Sequence, residues 1–245
     1  MRTPFIVTGI MRSGTSLFAS MVSELPNVMC FNETHYSMHD LYEFFATMHD
    51  KIYHGQPIKN KWADSSGDKV ATNTLNGKGG QIAIDRKLQK PMHPDLMLLG
   101  QKTTKQFLYW LPDLIDKDYP IFAMIRHPVF TLASWRSEKC KRTYMYPLTL
   151  EQQAKEWQEL ARIIWTHKKY ITIIKYEDFV TNPMYWIRRF CLRNRLSITN
   201  GPPFDFPENM NEMERYPKAK MGEIAAMLEE HAPIVKKFGY DVWKF

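Results

Sequence analysis

Phe5 to Leu17 reads FIVTGIMRSGTSL, an apolar run that leads into two glycines, Gly9 and Gly14, spaced as Gly-x-x-x-x-Gly. A turn of that kind at the N-terminus of a helix binds phosphate through aligned backbone N–H groups and the helix dipole. Ser13, Thr15 and Ser16 add hydroxyl donors, and Arg12 adds a planar charged fork suited to phosphate or sulfate oxygens. Position 15 holds threonine where a nucleoside-triphosphatase loop carries its lysine, and no downstream acid for magnesium is evident. A monophosphate- or diester-like group held without metal therefore fits better than ATP. A second stretch, MIRHPVFTLASWRSEK, places Arg126 after an apolar run and Ser134 eight residues on. Eight residues is just over two helical turns, so both can face one anion, a second phosphate held apart from the first.

These residues need elements to hold them. Phe5–Thr8 reads as a short buried strand ended by Gly9, and Leu17, Phe18, Met21, Val22 and Leu25 recur at helical spacing until Pro26. The glycine loop thus lies on a strand-to-helix turn. Val28–Phe31 reads as a strand, Tyr36–His49 as a helix, Leu96–Leu99 as an apolar strand and Lys105–Ile115 as helical. Pro120–Ile125 is predicted to be a strand, Val129–Lys139 and Leu150–His167 helices, Tyr170–Ile174 a strand, and Met221–Phe238 a closing helix. Alternation of this kind predicts an α/β fold in a single domain over residues 1–245, with a mostly parallel sheet flanked by helices. Ligands of such sheets bind beyond the C-terminal strand ends, where this loop falls. Lys51–Pro94 departs from the pattern. It is polar, contains DSSGDK and NGKGG, and reads as an insertion, helical around Ile82–Leu88, that either folds over an acceptor site as a lid or is a surface excursion.

Together, RSGTS and RHPVFTLAS resemble the sulfotransferase superfamily that uses 3′-phosphoadenosine 5′-phosphosulfate (PAPS). The first looks like the family's 5′-phosphosulfate loop with Met11 in place of a proline, and the second like its 3′-phosphate motif. IIKYEDFVTNP (Ile173–Pro183) and KKFGYDVW are similar to later family segments, so the resemblance runs from residue 4 to near the C-terminus with 51–94 unmatched. It implies a P-loop-like nucleotide-binding architecture. Arg12, Ser13, Gly14, Thr15 and Ser16 would then hold the 5′ end of PAPS, Arg126 and Ser134 its 3′-phosphate, and PAP (adenosine 3′,5′-bisphosphate) would be released.

NVMCFNETHYS is similar to the protein-tyrosine sulfotransferase segment that carries a glutamate base, which implies Glu33 here. A carboxylate at a strand end beside the cleft can take the acceptor proton. His35, two residues on, is the rival base or an acceptor contact, with Tyr36 beside it as acceptor-binding. LGQKTTKQF resembles the segment whose lysine approaches the bridging oxygen, which implies Lys102, with Lys105 as the alternative register. A cation there stabilises charge on the leaving group. Trp157, Trp165 and Trp186 are expected in the core, Trp135 and Trp110 as ligand walls, and Tyr176-Glu177-Asp178 as loop-shaping.

Bulk properties narrow the classes. A formal net charge of +7 over 245 residues suits an anionic ligand, but no dense basic run points to nucleic acid. Cys30, Cys140 and Cys191 form no CxxC pair, and the eight histidines show no HExxH, so no metal is expected. No signal-peptide pattern and no run of about 20 apolar residues is present, so a cytoplasmic protein without membrane contact is expected. The acceptor is expected to be a small molecule, such as a specialised natural product, sulfated on oxygen or nitrogen. Oligomeric state is not legible. The alternatives are a P-loop kinase or nucleotidase using ATP, and a non-catalytic polyanion or nucleic-acid binder.

Overall fold

β1 (Phe5–Gly9) is buried along its whole length, as a strand covered on both faces must be, and its aromatic and β-branched residues suit that place. The computed structural model describes residues 2–32, 40–54, 56, 69–74, 80–83, 92–137, 145–197 and 218–244. After the glycine loop come α1 (Thr15–Ser23), β2 (Val28–Asn32) and α2 (Leu41–Tyr53). An antiparallel pair follows, β3 (Lys69–Thr74) and β4 (Gly80–Ala83). β5 (Leu98–Lys102), α3 (Lys105–Tyr109), α4 (Leu111–Asp116), β6 (Ile121–Ile125) and α5 (Pro128–Trp135) make up the middle of the chain. The remainder is α6 (Leu150–Thr166), β7 (Thr172–Lys175), α7 (Tyr176–Thr181), α8 (Pro183–Arg193), α9 (Lys218–Leu228) and α10 (Ala232–Lys237).

The strands form one sheet in the order β4-β3-β2-β5-β1-β6-β7. The five strands from β2 to β7 are all parallel, and β3 adds to the β2 edge antiparallel through Phe31 and Thr72. β1 sits between β5 and β6, so the loop that follows it opens at the middle of the sheet's C-terminal edge. Alternate residues of each strand feed opposite cores. Phe5 and Val7 pack with Phe18, Met21 and Val22 of α1 and with Ile187 and Phe190 of α8. Phe5 and Phe190 meet edge to face at 4.8 Å, and Phe18 and Phe179 at 5.5 Å. On the other face Ile6 and Ile121 join the apolar sides of α2, α5, α6 and α9. α6 is anchored by a capping box. The Thr149 hydroxyl accepts the Gln152 N–H, and the Gln152 side chain accepts the Thr149 N–H.

Three expectations from sequence are corrected. Ile82 and Ala83 lie in β4, paired with Val70 and Lys69, so that part of the expected Ile82–Leu88 helix is strand, and residues 84–88 lie outside the described residues. A short apolar run carries no clear period, and cross-strand pairing decides its state. The expected Lys105–Ile115 helix breaks at Trp110, because Pro112 has no N–H to continue the ladder from α3. The closing helix likewise divides at a 3₁₀ turn, Glu229–His231, just before Pro233.

Candidate active site

Gly9 is where strand becomes loop. Its φ is +148°, and a Cβ there would lie 2.2 Å from the Met124 carbonyl oxygen of β6. That close approach lets the Ile10 N–H donate to the same carbonyl at 3.1 Å. The Ser13 hydroxyl also donates to it, at 3.0 Å, and contacts the Ile10 carbonyl. Ser13 is fully buried, so its hydroxyl pins the loop to β6 instead of facing an anion as expected. Arg12 and Gly14 both take left-handed conformations, φ +70° and +86°, and these turn the chain into α1. Gly14 caps α1 with no side chain, which leaves the first-turn N–H groups facing the loop mouth. Thr15 is buried in that turn, whereas Arg12 and Ser16 are exposed.

The Arg12 Nε–H donates to Ser134 Oγ at 3.0 Å. The candidate 5′ loop and the candidate 3′-phosphate serine, 122 residues apart in sequence, therefore meet directly. Trp135 is buried, with its Nε1–H on the Met11 carbonyl at 3.0 Å. It braces the loop from behind, where the sequence had suggested a ligand wall. Trp110 is half-buried and packs beside Phe107 at 5.6 Å.

Arg126 follows the last residue of β6 and is half-buried. Its guanidinium stacks on Tyr176 at 4.5 Å and lies 5.6 Å from the Phe130 ring. Its Nε is buried with no hydrogen-bond partner among the described residues. A buried cationic N–H left unpaired is costly, and an incoming anion would satisfy it. Among the described residues no hydrogen bond joins Arg126 to Ser134; the Ser134 hydroxyl accepts from Arg12 instead.

Lys102 ends β5, level with Val7 on one side and Asn32 on the other, and is almost fully buried. Burial pushes the Cys30 thiol up, and the Lys102 ammonium pulls against that shift. The following turn is held by the Thr103 N–H on the Val7 carbonyl at 3.0 Å and by the Thr8 hydroxyl on the Thr104 carbonyl at 3.1 Å. Lys105 is paired with Glu156 of α6 at 2.6 Å, so of the two lysines Lys102 is the one at the strand end. Glu33, His35 and Tyr36 lie outside the described residues. The strand leading to them ends at Asn32, level with Lys102.

The profile of the sulfotransferase family matches residues 4–199. The chain belongs to the sulfotransferase family. No curated protein matches it. Solved structures that resemble it include a sulfotransferase from Alicyclobacillus acidocaldarius, 14% identical, covering 97% of this chain and 96% of that one with a TM-score of 0.52. The sulfotransferase domain of the Synechococcus PCC 7002 olefin synthase is 11% identical, covering 98% and 97%, with a TM-score of 0.55. Sulfotransferase STF1 from Mycobacterium tuberculosis H37Rv is 13% identical, covering 94% and 76%, with a TM-score of 0.52. At such identities what they share with this family member is the α/β sheet fold. Among the described residues no group of three or more His, Cys, Asp or Glu side chains is placed to hold a metal ion, and no helix is long and apolar enough to cross a membrane.

Reasoning from sequence missed Thr8, the stacking of Tyr176 on Arg126, which it had read only as loop-shaping, and the bracing role of Trp135. Thr8 and Tyr176 each sit at the C-terminal end of a parallel strand or one step past it, beside a named motif. Position relative to strand ends was therefore the available signal.

Proposed function

We propose that this sulfotransferase moves a sulfuryl group from PAPS to a hydroxyl or amine of a small-molecule acceptor, releasing PAP. The observation that carries the donor assignment is the buried Nε of Arg126, without a hydrogen-bond partner among the described residues, in a guanidinium stacked on Tyr176 at the same strand edge where Arg12 meets Ser134. PAPS supplies an activated sulfur with a nucleotide phosphate as leaving group. The loop N–H groups after Gly9, with Arg12, Thr15 and Ser16, hold the 5′ end, and Arg126 and Ser134 hold the 3′-phosphate. Ser13 serves by fixing the loop. Glu33 takes the acceptor proton as the acceptor atom bonds to sulfur and the bond from sulfur to the bridging oxygen breaks. Lys102 stabilises the negative charge that oxygen retains, the kind of electrostatic term that usually dominates such steps. His35 and Tyr36 line the acceptor side. The β3–β4 hairpin borders it, because β3 pairs with β2 one residue before the strand ends. The acceptor class we favour is a specialised natural product.

A thermal-shift titration with PAP, with AMP and ATP–Mg²⁺ as controls, tests the reading. PAP at a hundred times its dissociation constant should add about 2.7 kcal/mol of stability. The shift should be lost in Arg126→Ala. A shift with ATP–Mg²⁺ and none with PAP would overturn the donor assignment.

A further inference from the structure

The residue after Arg126 is held by a part of the chain that the reaction does not use. The His127 backbone N–H donates to Glu177 Oε1 at 2.9 Å. The other carboxylate oxygen, Oε2, accepts the Tyr240 hydroxyl at 2.7 Å. The His127 ring Nε2 lies 2.9 Å from the Asp241 carbonyl oxygen; a carbonyl only accepts, so Nε2 carries the proton. His127 and Tyr240 also meet edge to face at 5.1 Å, and both are buried. Burial, with the Glu177 carboxylate alongside, raises the Tyr240 phenol well above its ordinary range and keeps it a donor.

The same turn does two things. Tyr176 stacks on the Arg126 guanidinium, and Glu177, its neighbour, grips the backbone one residue past Arg126. The turn into α5 has no side-chain N-cap; the Thr131 hydroxyl holds its Arg126 and His127 carbonyls from within the helix, and Glu177 holds the His127 N–H from outside. Glu177 is in turn tied to the C-terminal tail. Loss of the Tyr240 hydroxyl would leave a partly buried carboxylate oxygen without its donor, and the carboxylate would swing out to find one.

We infer that Tyr240 and Asp241, acting through Glu177 and His127, are positioning residues for the 3′-phosphate site, so that the C-terminal tail sets how tightly Arg126 grips the nucleotide. The inference rests on the donor assignment above. PAP and AMP differ by the 3′-phosphate, so the ratio of their affinities reads that site alone.

The test is calorimetric titration of full-length protein with PAP and with AMP. Tyr240→Phe removes one hydroxyl and should cut the PAP-to-AMP affinity ratio about tenfold, the scale of one hydrogen bond to a charged group. AMP affinity should hold. Glu177→Leu should lower the ratio at least as far. Glu177→Gln should keep most of it, because the amide oxygen still accepts from His127 and the amide N–H₂ can donate to the phenol. A wild-type protein with no preference for PAP would overturn the donor assignment, and the positioning role with it. A wild-type preference that survives in both Tyr240→Phe and Glu177→Leu would overturn the positioning role alone. Equal losses for PAP and AMP in the variants would also overturn it, since general loosening would then explain them.

Discussion

Gly9→Ala tests the anchor on which the whole site stands. A methyl group at position 9 would lie 2.2 Å from the Met124 carbonyl oxygen and 2.8 Å from its nitrogen. Both are backbone atoms in the middle of the sheet, so no rotamer change relieves the clash. Either β1 and β6 part at this end or residue 9 leaves φ +148°, a region alanine itself rarely adopts. Holding a non-glycine residue in such a region costs about 1–3 kcal/mol. Displacing the Met124 carbonyl also strains the hydrogen bonds from the Ile10 N–H and the Ser13 hydroxyl, at about 1 kcal/mol each. The sum is about 3–5 kcal/mol, and at roughly 2–4 °C per kcal/mol for a domain of this size the melting temperature should fall by about 6–20 °C. Gly222→Ala in α9 is the control. A Cβ there meets nothing within 4 Å, and alanine is the better helix former, so its melting temperature should hold or rise. Both variants would be melted by circular dichroism with and without PAP. The increment PAP adds to stability should also shrink in Gly9→Ala, because the loop N–H groups start from this residue. A Gly9→Ala protein melting within a degree of wild type would refute the idea that the Met124 carbonyl pins the loop.

Two further outcomes are expected. Glu33→Gln should bind PAP as tightly as wild type while losing most turnover on any acceptor the wild-type protein sulfates, the loss of a general base typically costing about 10²–10⁴-fold; unchanged turnover would remove Glu33 from the mechanism. Burial lowers the His127 pKa below its usual value, outweighing the opposing pull of the Asp241 carbonyl and of the Glu177 and Asp241 carboxylates, while Arg126 adds to the lowering. A His whose folded pKa is depressed contributes stability that is complete above its unfolded pKa near 6.5 and is lost as pH falls through the folded value. The melting temperature should therefore drop more between pH 7.5 and 5 in wild type than in His127→Gln, and parallel curves would contradict this.

Much of the site was legible because its signals are local. A glycine loop after an apolar run, and an arginine after another, stand here at strand-to-helix turns, and the sheet puts such turns on one edge. The core stripe of α6, with Trp157, Leu160 and Ile164, could likewise be read from period alone. Ser13 was legible as a loop residue, but its hydroxyl direction was not. It turns inward because the Met124 carbonyl, 111 residues away, stands behind it. Trp135 shows the same limit: its indole finds the Met11 carbonyl only once α5 packs behind the loop.

By itself, then, the amino-acid sequence determined the α/β alternation, the glycine loop and the basic residues at strand ends. Each of these follows from backbone preference and hydrophobic period within a dozen or so residues. Tertiary structure alone decided which partners those residues meet. Arg12 reaches Ser134, Tyr176 stacks on Arg126, and Tyr240 closes on Glu177 across 63 positions. Such contacts depend on the order of the strands in the sheet and on where the chain returns to it, and no local pattern encodes either.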